Sequence, residues 1–274
     1  MTAHLPELPP HLRLFGSSPD LVAKEYLHVI SDGITNQPRS LQKAIGPSEI
    51  GAPCARRLGY KLLGLPERDQ PPNWKATVGT GAHMWLETAF DADNLRIAQT
   101  EGQERWLVET RVSVGEVNGV EITGSCDLYD RWTGTVIDHK TVGPTQLRKY
   151  RTSGPGDQYR VQAHLYGRGW IRKGLPVTTV AVAFLPRNGE LAEAHIWHEP
   201  YNEQIAIDAL QRLTGIDLAC RALGPAALAA LPTADQYCGL CPHFKAGSPD
   251  LASGCPGDPG ASKTQAPALT LTSA

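Results

Sequence analysis

The sequence predicts an α/β domain in which helices flank a mixed β-sheet. Three observations carry the prediction. Two Asn-Gly dipeptides, Asn118-Gly119 and Asn188-Gly189, each sit between runs of strand-forming residues, the strongest short-range hairpin signal. Segments with helix start and stop residues precede, interrupt and follow those strands. The resulting order is helices, sheet, helix, sheet, helix, which suits a layered domain.

The elements follow in chain order. The proline-rich residues 1–17 are expected to be loosely ordered. Ser18-Pro19-Asp20 starts a helix and Gly33 stops it. A second helix covers Pro53 to Leu63, closed by Gly64, and a third covers Ala76 to Asp91. Trp106–Val117 and Val120–Asp130 pair through Asn118-Gly119, and Thr135–Val142 completes a three-stranded meander. Asp157 caps a helix that runs to Lys173 and ends at Gly174. Thr178–Arg187 and Glu190–Glu199 make the second hairpin, and Asn202 caps a long helix to Leu223. Residues 18–257 therefore read as a single domain with a cysteine-rich C-terminal region. Residues 258–274 are small and polar enough to form a disordered tail. No internal repeat is visible. The phosphate loops G-x-G-x-x-G and G-x-x-x-x-G-K-[ST] and the G-x-S-x-G elbow are missing, so nucleotide-hydrolysing and serine-hydrolase chemistries lack their motifs.

Composition narrows the function classes. Hydrophobic content is 41% and aromatic content 7%, giving an aliphatic, alanine-rich core. The net charge of −2 does not mark a nucleic-acid binder. Its distribution is less neutral: from Asp138 to Lys173 there are eight lysines or arginines and two aspartates. A basic face beside carboxylates suits a phosphate-rich substrate, and ordinary helix-surface charge is the alternative. No apolar run is long enough for a membrane span, and the start lacks a secretory signal. The expected setting is cytoplasmic and reducing, so the six cysteines read as metal ligands or buried thiols.

One hairpin raises a chemical question. In GSCDLYDRWTGTVIDHK, residues 124–140, pairing Asp130 with Thr135 puts Asp127 directly opposite Asp138. Opposed like charges, with Cβ atoms roughly 5 Å apart, are destabilising. Lys140 shares a strand face with Asp138. Either the face is polar and solvated, or a hard divalent cation such as Mg²⁺ or Mn²⁺ bridges the carboxylates.

Four features now stand in order: His83 in GTGAHMWLE, Asp127 in GSCD, Asp138-His139-Lys140, and Gln162 with Tyr166 in QAHLY. Their order resembles the RecB-like branch of the PD-(D/E)XK nuclease superfamily, over roughly Ser48 to Cys255. The resemblance implies a restriction-endonuclease-like core and a metal-dependent DNA nuclease, an exonuclease on single-stranded or end-exposed DNA in recombination, repair or phage DNA processing. It implies that Asp127, Asp138, His83 and the His139 backbone carbonyl hold Mg²⁺ or Mn²⁺. Lys140 would orient or deprotonate the attacking water or stabilise charge, and Gln162 and Tyr166 would position substrate or water. Glu87, one turn after His83, joins the site or the surface.

Cys54, Cys238, Cys241 and Cys255 add a second resemblance, to the iron–sulfur members such as AddB and the CRISPR adaptation nucleases. It implies a 4Fe–4S cluster joining the chain ends. The 13 residues between Cys241 and Cys255 exceed the shorter spacing of that group and keep Zn²⁺ as the alternative. Cys126 and Cys220 read as buried thiols. Arg56, Arg57, Arg148, Lys149, Arg151 and Arg160 are candidate phosphate contacts. Lacking a helicase motif, the chain would rely on a separate helicase or recombination or adaptation protein for unwinding. Two other readings are a non-catalytic iron–sulfur or zinc scaffold that binds DNA, and a small-molecule metallohydrolase. The basic stretch disfavours the second of these.

Overall fold

The computed structural model describes residues 19–37, 44–68, 71–234 and 238–259. Residues 1–17 and all but Asp258 and Pro259 of the expected tail lie outside that set. The chain divides into two compact units. The smaller comprises residues 1–42 and 72–77, and its described part holds α1 (Pro19–Asn36) and the start of α4 (Trp74–Glu101). Gly33 does not stop α1. Beyond it, Thr35 Oγ1 donates to Ser31 O at 2.9 Å and Asn36 Nδ2 to Asp32 Oδ1 at 2.8 Å. An interior glycine costs only about 1 kcal/mol relative to alanine.

The larger unit, residues 43–71 and 78–274, carries a five-stranded mixed sheet flanked by helices. A short α2 (Pro47–Ile50) and α3 (Ala55–Leu62) lead to the body of α4. Then come β1 (Trp106–Val117), β2 (Val120–Asp130) and β3 (Thr135–Val142), at the expected boundaries. They are followed by α5 (Pro144–Ser153), α6 (Gly156–Arg172), β4 (Thr179–Pro186), β5 (His195–Pro200) and α7 (Glu203–Leu223). The spatial order is β1-β2-β3-β4-β5. All neighbours are antiparallel except β3 and β4, whose parallel pairing needs the α5–α6 crossover.

Several expectations are corrected. The third helix extends ten residues past Asp91, because its last turns are tied to the sheet. Asn94 Oδ1 accepts from Trp106 N at 2.8 Å, and its Nδ2 donates to Trp106 O at 2.8 Å. Helix α5 escapes the periodic pattern because PTQLRKYRTS buries only Leu147, although Pro144 in its first turn is a start signal. Asp157 lies inside the first turn of α6, and Pro155 occupies the cap position. Asn188-Gly189 does not form a two-residue turn. A wider loop with a 3-10 turn at Leu191–Glu193 joins β4 to β5. Asn202 does cap α7, its side chain accepting from Gln204 N at 3.0 Å.

Helix α6 supplies the centre of the core. Ala163, Leu165 and Trp170 are buried, and Trp170 stacks on Tyr129 with centroids 4.7 Å apart. A Cβ at Gly169 would come within 2.6 Å of Val112, so glycine is what allows this close approach of helix to strand.

Candidate active site and cysteine pocket

The acidic site begins with a register change. From the Asn118-Gly119 turn, the pairs Val117↔Val120, Glu116↔Glu121 and Gly115↔Ile122 run in step, then Ser113 pairs with Thr123. Val114 is the extra residue of a β-bulge. In the uninterrupted register Glu109 would face Leu128. After the bulge the pairs Val108↔Leu128 and Thr110↔Cys126 bracket Glu109 and Asp127 across from one another. Glu109 has φ 40°, a left-handed conformation costly for a residue with a Cβ. The strained residue and its acidic neighbour therefore sit together.

Helix α4 brings the third member. Its far end is fixed by Asn94, by the Trp106 Nε1 bond to Asp93 Oδ2 at 2.8 Å, and by Phe90, which packs on Trp106 and His139. About two turns before the sheet-facing Phe90, His83 Nδ1 lies 3.5 Å from Asp127 Oδ1 and 3.8 Å from Glu109 Oε1. Its Nε2 lies 3.1 Å from the His139 carbonyl oxygen. Single atoms of His83, Glu109 and Asp127 fall within 4.8 Å of one another, a spacing that fits a cation.

The hairpin keeps the register predicted from Asp130↔Thr135, but its ladder ends one pair short of Asp127 and Asp138. The β2–β3 ladder runs from Asp130↔Thr135 to Leu128↔Ile137 and stops, and Asp127 Oδ2 instead accepts from His139 N at 2.7 Å. The strands part so that Asp127 caps the β3 backbone. Asp138 is fully buried, with Lys140 Nζ 2.5 Å from its Oδ2 and Gln162 Nε2 2.7 Å from its Oδ1. Lys140 also sits 5.1 Å over the Tyr159 ring. Tyr166 is buried, and a Cβ at Gly124 would lie 3.1 Å from its hydroxyl. Glu87 is exposed. His83, Asp127 and the His139 backbone are thus joined by direct contacts, and Lys140 and Gln162 are joined to Asp138, the residue before His139 on β3. Glu109 was missed in the sequence because the bulge that aligns it leaves no local sign beyond Gly115.

The charges are far from their ordinary balance. The contacts with Asp127 and Glu109 raise His83 to about 9. Burial pushes the Asp127 carboxyl up, but His83, Lys140 and the His139 N–H together hold it below the usual range. Burial, and then the charge of Asp127, lift Asp138 to about 6 against the pull of Lys140. Burial keeps the His139 ring low and so favours its neutral form.

Cys54, Cys238, Cys241 and Cys255 line one pocket, together with Arg57, Tyr60, His243 and Phe244. Cys54 stands at the N-terminal end of α3, and the other three belong to a C-terminal segment held by long-range bonds. Arg56 Nε donates to Leu228 O at 2.8 Å, Tyr60 Oη to Leu251 O at 2.6 Å, and Cys255 N to His243 O at 2.7 Å. No three of the four sulfurs lie within 4.8 Å of one another. A tetrahedral zinc with ~2.3 Å bonds needs sulfurs roughly 3.8 Å apart. Burial raises the Cys241 thiol. Cys126 and Cys220 are buried, as expected.

Three of the six expected phosphate contacts, Arg56, Arg151 and Arg160, have internal partners. Arg56 is bound to Leu228 O, Arg151 donates to Glu193 O, Arg160 pairs with Glu199 at 2.6 Å, and Arg57 lines the cysteine pocket. Arg148 and Lys149 are exposed on α5. None of the described helices is long and apolar enough to cross a membrane.

The sequence matches no family model and no curated protein. Solved structures show partial likeness. SSO0001 is 16% identical, with a TM-score of 0.47 over 80% of this chain and 93% of that one. An alkaline exonuclease from Laribacter hongkongensis, also solved with dAMP, is 12% identical, with a TM-score of 0.36 over 64% of this chain and 90% of its own. A phage-related exonuclease from Haemophilus somnus is 14% identical, with a TM-score of 0.32 over 63% of this chain and 91% of its own. The chemical reading of the site rests on this chain's own residues.

Proposed function

We propose that this chain is a metal-dependent DNA nuclease of the PD-(D/E)XK type, acting as an exonuclease on single-stranded or end-exposed DNA. The observation that carries the reading is the meeting of His83, Glu109 and Asp127 beside a buried Asp138–Lys140 pair. Their oxygen and imidazole donors fit Mg²⁺ or Mn²⁺. A bound cation there supplies Lewis-acid polarisation of a phosphodiester and a lower pKa for water. Asp127 and Asp138 would contribute ligand oxygens, and His83 and the His139 carbonyl would complete the donor set. Glu109 adds a third carboxylate that balances the cation. Lys140, held by Asp138, aims an ammonium at the reacting phosphate and stabilises its growing charge. Gln162 fixes the Asp138 rotamer from α6. Tyr166 walls the site beside Gly124.

The cysteine pocket is proposed to hold a 4Fe–4S cluster. Its support is the convergence on one pocket of four thiols from opposite ends of the sequence. Cys54, Cys238, Cys241 and Cys255 would each give a thiolate, and the group would fasten α3 to the C-terminal segment. Zinc remains the competing metal. A helicase or a recombination or adaptation protein would supply unwound DNA.

The test is incubation with Mn²⁺ and linear single-stranded, linear duplex and circular DNA. Cleavage of linear substrates that disappears with chelator is expected. A lack of cleavage on every substrate, in protein that binds Mn²⁺, would leave the non-catalytic DNA-binding scaffold as the better reading.

A further inference from the structure

A second polar concavity lies between β1, β2 and the end of α6. It is lined by Arg111, Ser113, Glu121, Thr123, Arg172 and Lys173, over Val112 and Gly169. Its charge is three cations against the single carboxylate of Glu121. Among the described residues no ion pair is recorded for Arg111, Arg172 or Lys173, whereas Arg96, Arg105, Arg160, Arg168 and Arg221 each hold a carboxylate. Arg111 Nη2 donates to Thr123 Oγ1 at 2.5 Å, which leaves its other donors for a ligand. The Ser113 hydroxyl is buried with no partner among the described residues, and an unmet hydroxyl of that kind is destabilising.

The end of α6 alone would account for Arg172 and Lys173, since cations complement the C-terminal end of a helix dipole. It does not account for Arg111, which comes from the strand, nor for the unmet Ser113 hydroxyl. Both are explained by an oxyanion that accepts from guanidinium, ammonium and hydroxyl together. The position along β1 is also informative. Arg111 lies two residues beyond Glu109, roughly 7 Å along the strand. The pocket is therefore within a nucleotide or two of the acidic centre.

We infer that Arg111, Ser113, Arg172 and Lys173 form a phosphate pocket that grips the DNA backbone away from the scissile bond. The inference rests on the nuclease reading for its substrate but not for its measurement. A phosphate held here fixes the register of the strand and carries no sequence information. The grip adds binding energy common to ground and transition states, so it acts on KM and not on kcat.

The experiment measures binding of a long fluorescent single strand by anisotropy, in EDTA so that no cleavage occurs, over a series of salt concentrations. Arg172→Gln with Lys173→Gln should weaken binding by about 10-fold and lower the slope of log K against log salt by roughly 0.7, the value for one phosphate contact on a single strand. Ser113→Ala changes no charge and should still weaken binding a few-fold. With Mn²⁺, the double variant should show raised KM and unchanged kcat on the long strand, and unchanged hydrolysis of a small phosphodiester ester that cannot reach the pocket. The thermal melt of the double variant should match the parent, and Ser113→Ala should melt no lower than the parent, since it removes an unmet buried hydroxyl. Unchanged affinity and slope in the double variant overturn the proposal. So does an effect confined to the charge variant, with Ser113→Ala binding like the parent, because general attraction would then suffice. If the parent binds DNA but cleaves none, the nuclease reading fails while the binding comparison still decides this one.

Discussion

The acidic centre around Asp127 and the cysteine pocket around Cys54 share one compact unit and are assembled in opposite ways. The acidic centre draws chiefly on residues 83–140, a helix and three successive strands, and its parts carry opposing charges that strain one another. The cysteine pocket joins α3 to a segment almost the whole domain later, with soft, largely apolar donors. The first gathers hard ligands at a cost to the apo fold. The second brings the ends of a long loop to one pocket, where a bound group would close that loop and hold the fold. The difference teaches that opposing charges gather where successive elements meet, whereas the thiols meet only where distant segments pack.

The largest expected effect breaks the comparison from the chemical side. Asp138→Ala or Asp127→Ala should lower Mn²⁺-dependent cleavage by on the order of 10³-fold, with an unchanged circular dichroism spectrum. Asp138→Asn should moreover stabilise the apo protein at neutral pH. A folded-state value raised to about 6 means that the Asp138 contribution is present below the unfolded value of 3.8 and lost as pH rises through 6. Denaturant melts in EDTA should show a gain of about 2 kcal/mol at neutral pH. Robust cleavage by purified Asp138→Ala would end the assignment.

From the structural side, Cys54→Ser or Cys238→Ser should cost about 3 kcal/mol or more, because the closing group is lost. Anaerobically purified parent protein should be brown and should bleach on reduction. The variants should be colourless and melt earlier, with the acidic centre's metal affinity little changed. Colourless parent protein with one equivalent of zinc would replace the cluster by zinc and keep the comparison.

A third test uses pH. His83 is raised to about 9 by its acidic partners. Its proton therefore contributes stability that is complete below the unfolded value of 6.5 and lost as pH rises through 9. In EDTA, stability should fall by about 2–3 kcal/mol across that window, and His83→Gln should remove most of the fall. The cysteine variants should keep it. An equally steep fall in His83→Gln would show that the ring does not share its proton with Asp127 and Glu109.

The smallest effect sharpens the acidic centre. Glu109→Gln should weaken Mn²⁺ binding by about 10-fold, measured by calorimetry, while activity at saturating metal recovers much of its value. The same charge loss at the exposed Glu87 should leave metal affinity alone.

Much of this was legible in the sequence because it is local. Asn118-Gly119 fixed the boundaries of β1 and β2 to the residue, since few other dipeptides take the backbone of so tight a turn. Asn202 marked the start of α7, because a helix N-terminus needs a side-chain acceptor. The alternation of strand faces placed Asp138 and Lys140 together. What the tertiary structure decided is non-local. The extra residue at Val114 shifts β1 by one position and brings Glu109 to Asp127, and a one-residue shift exchanges every face of a strand. The β2–β3 ladder ends before Asp127, whose carboxylate accepts from His139 N, a contact that the register alone does not give. Arg56 and Arg160 looked like free cations until their partners, Leu228 and Glu199, came from distant elements. Sequence spacing determined which ligand types were available, because residue chemistry is a local property. Their meeting depended on register, helix anchoring and loop closure, which are properties of the packed chain.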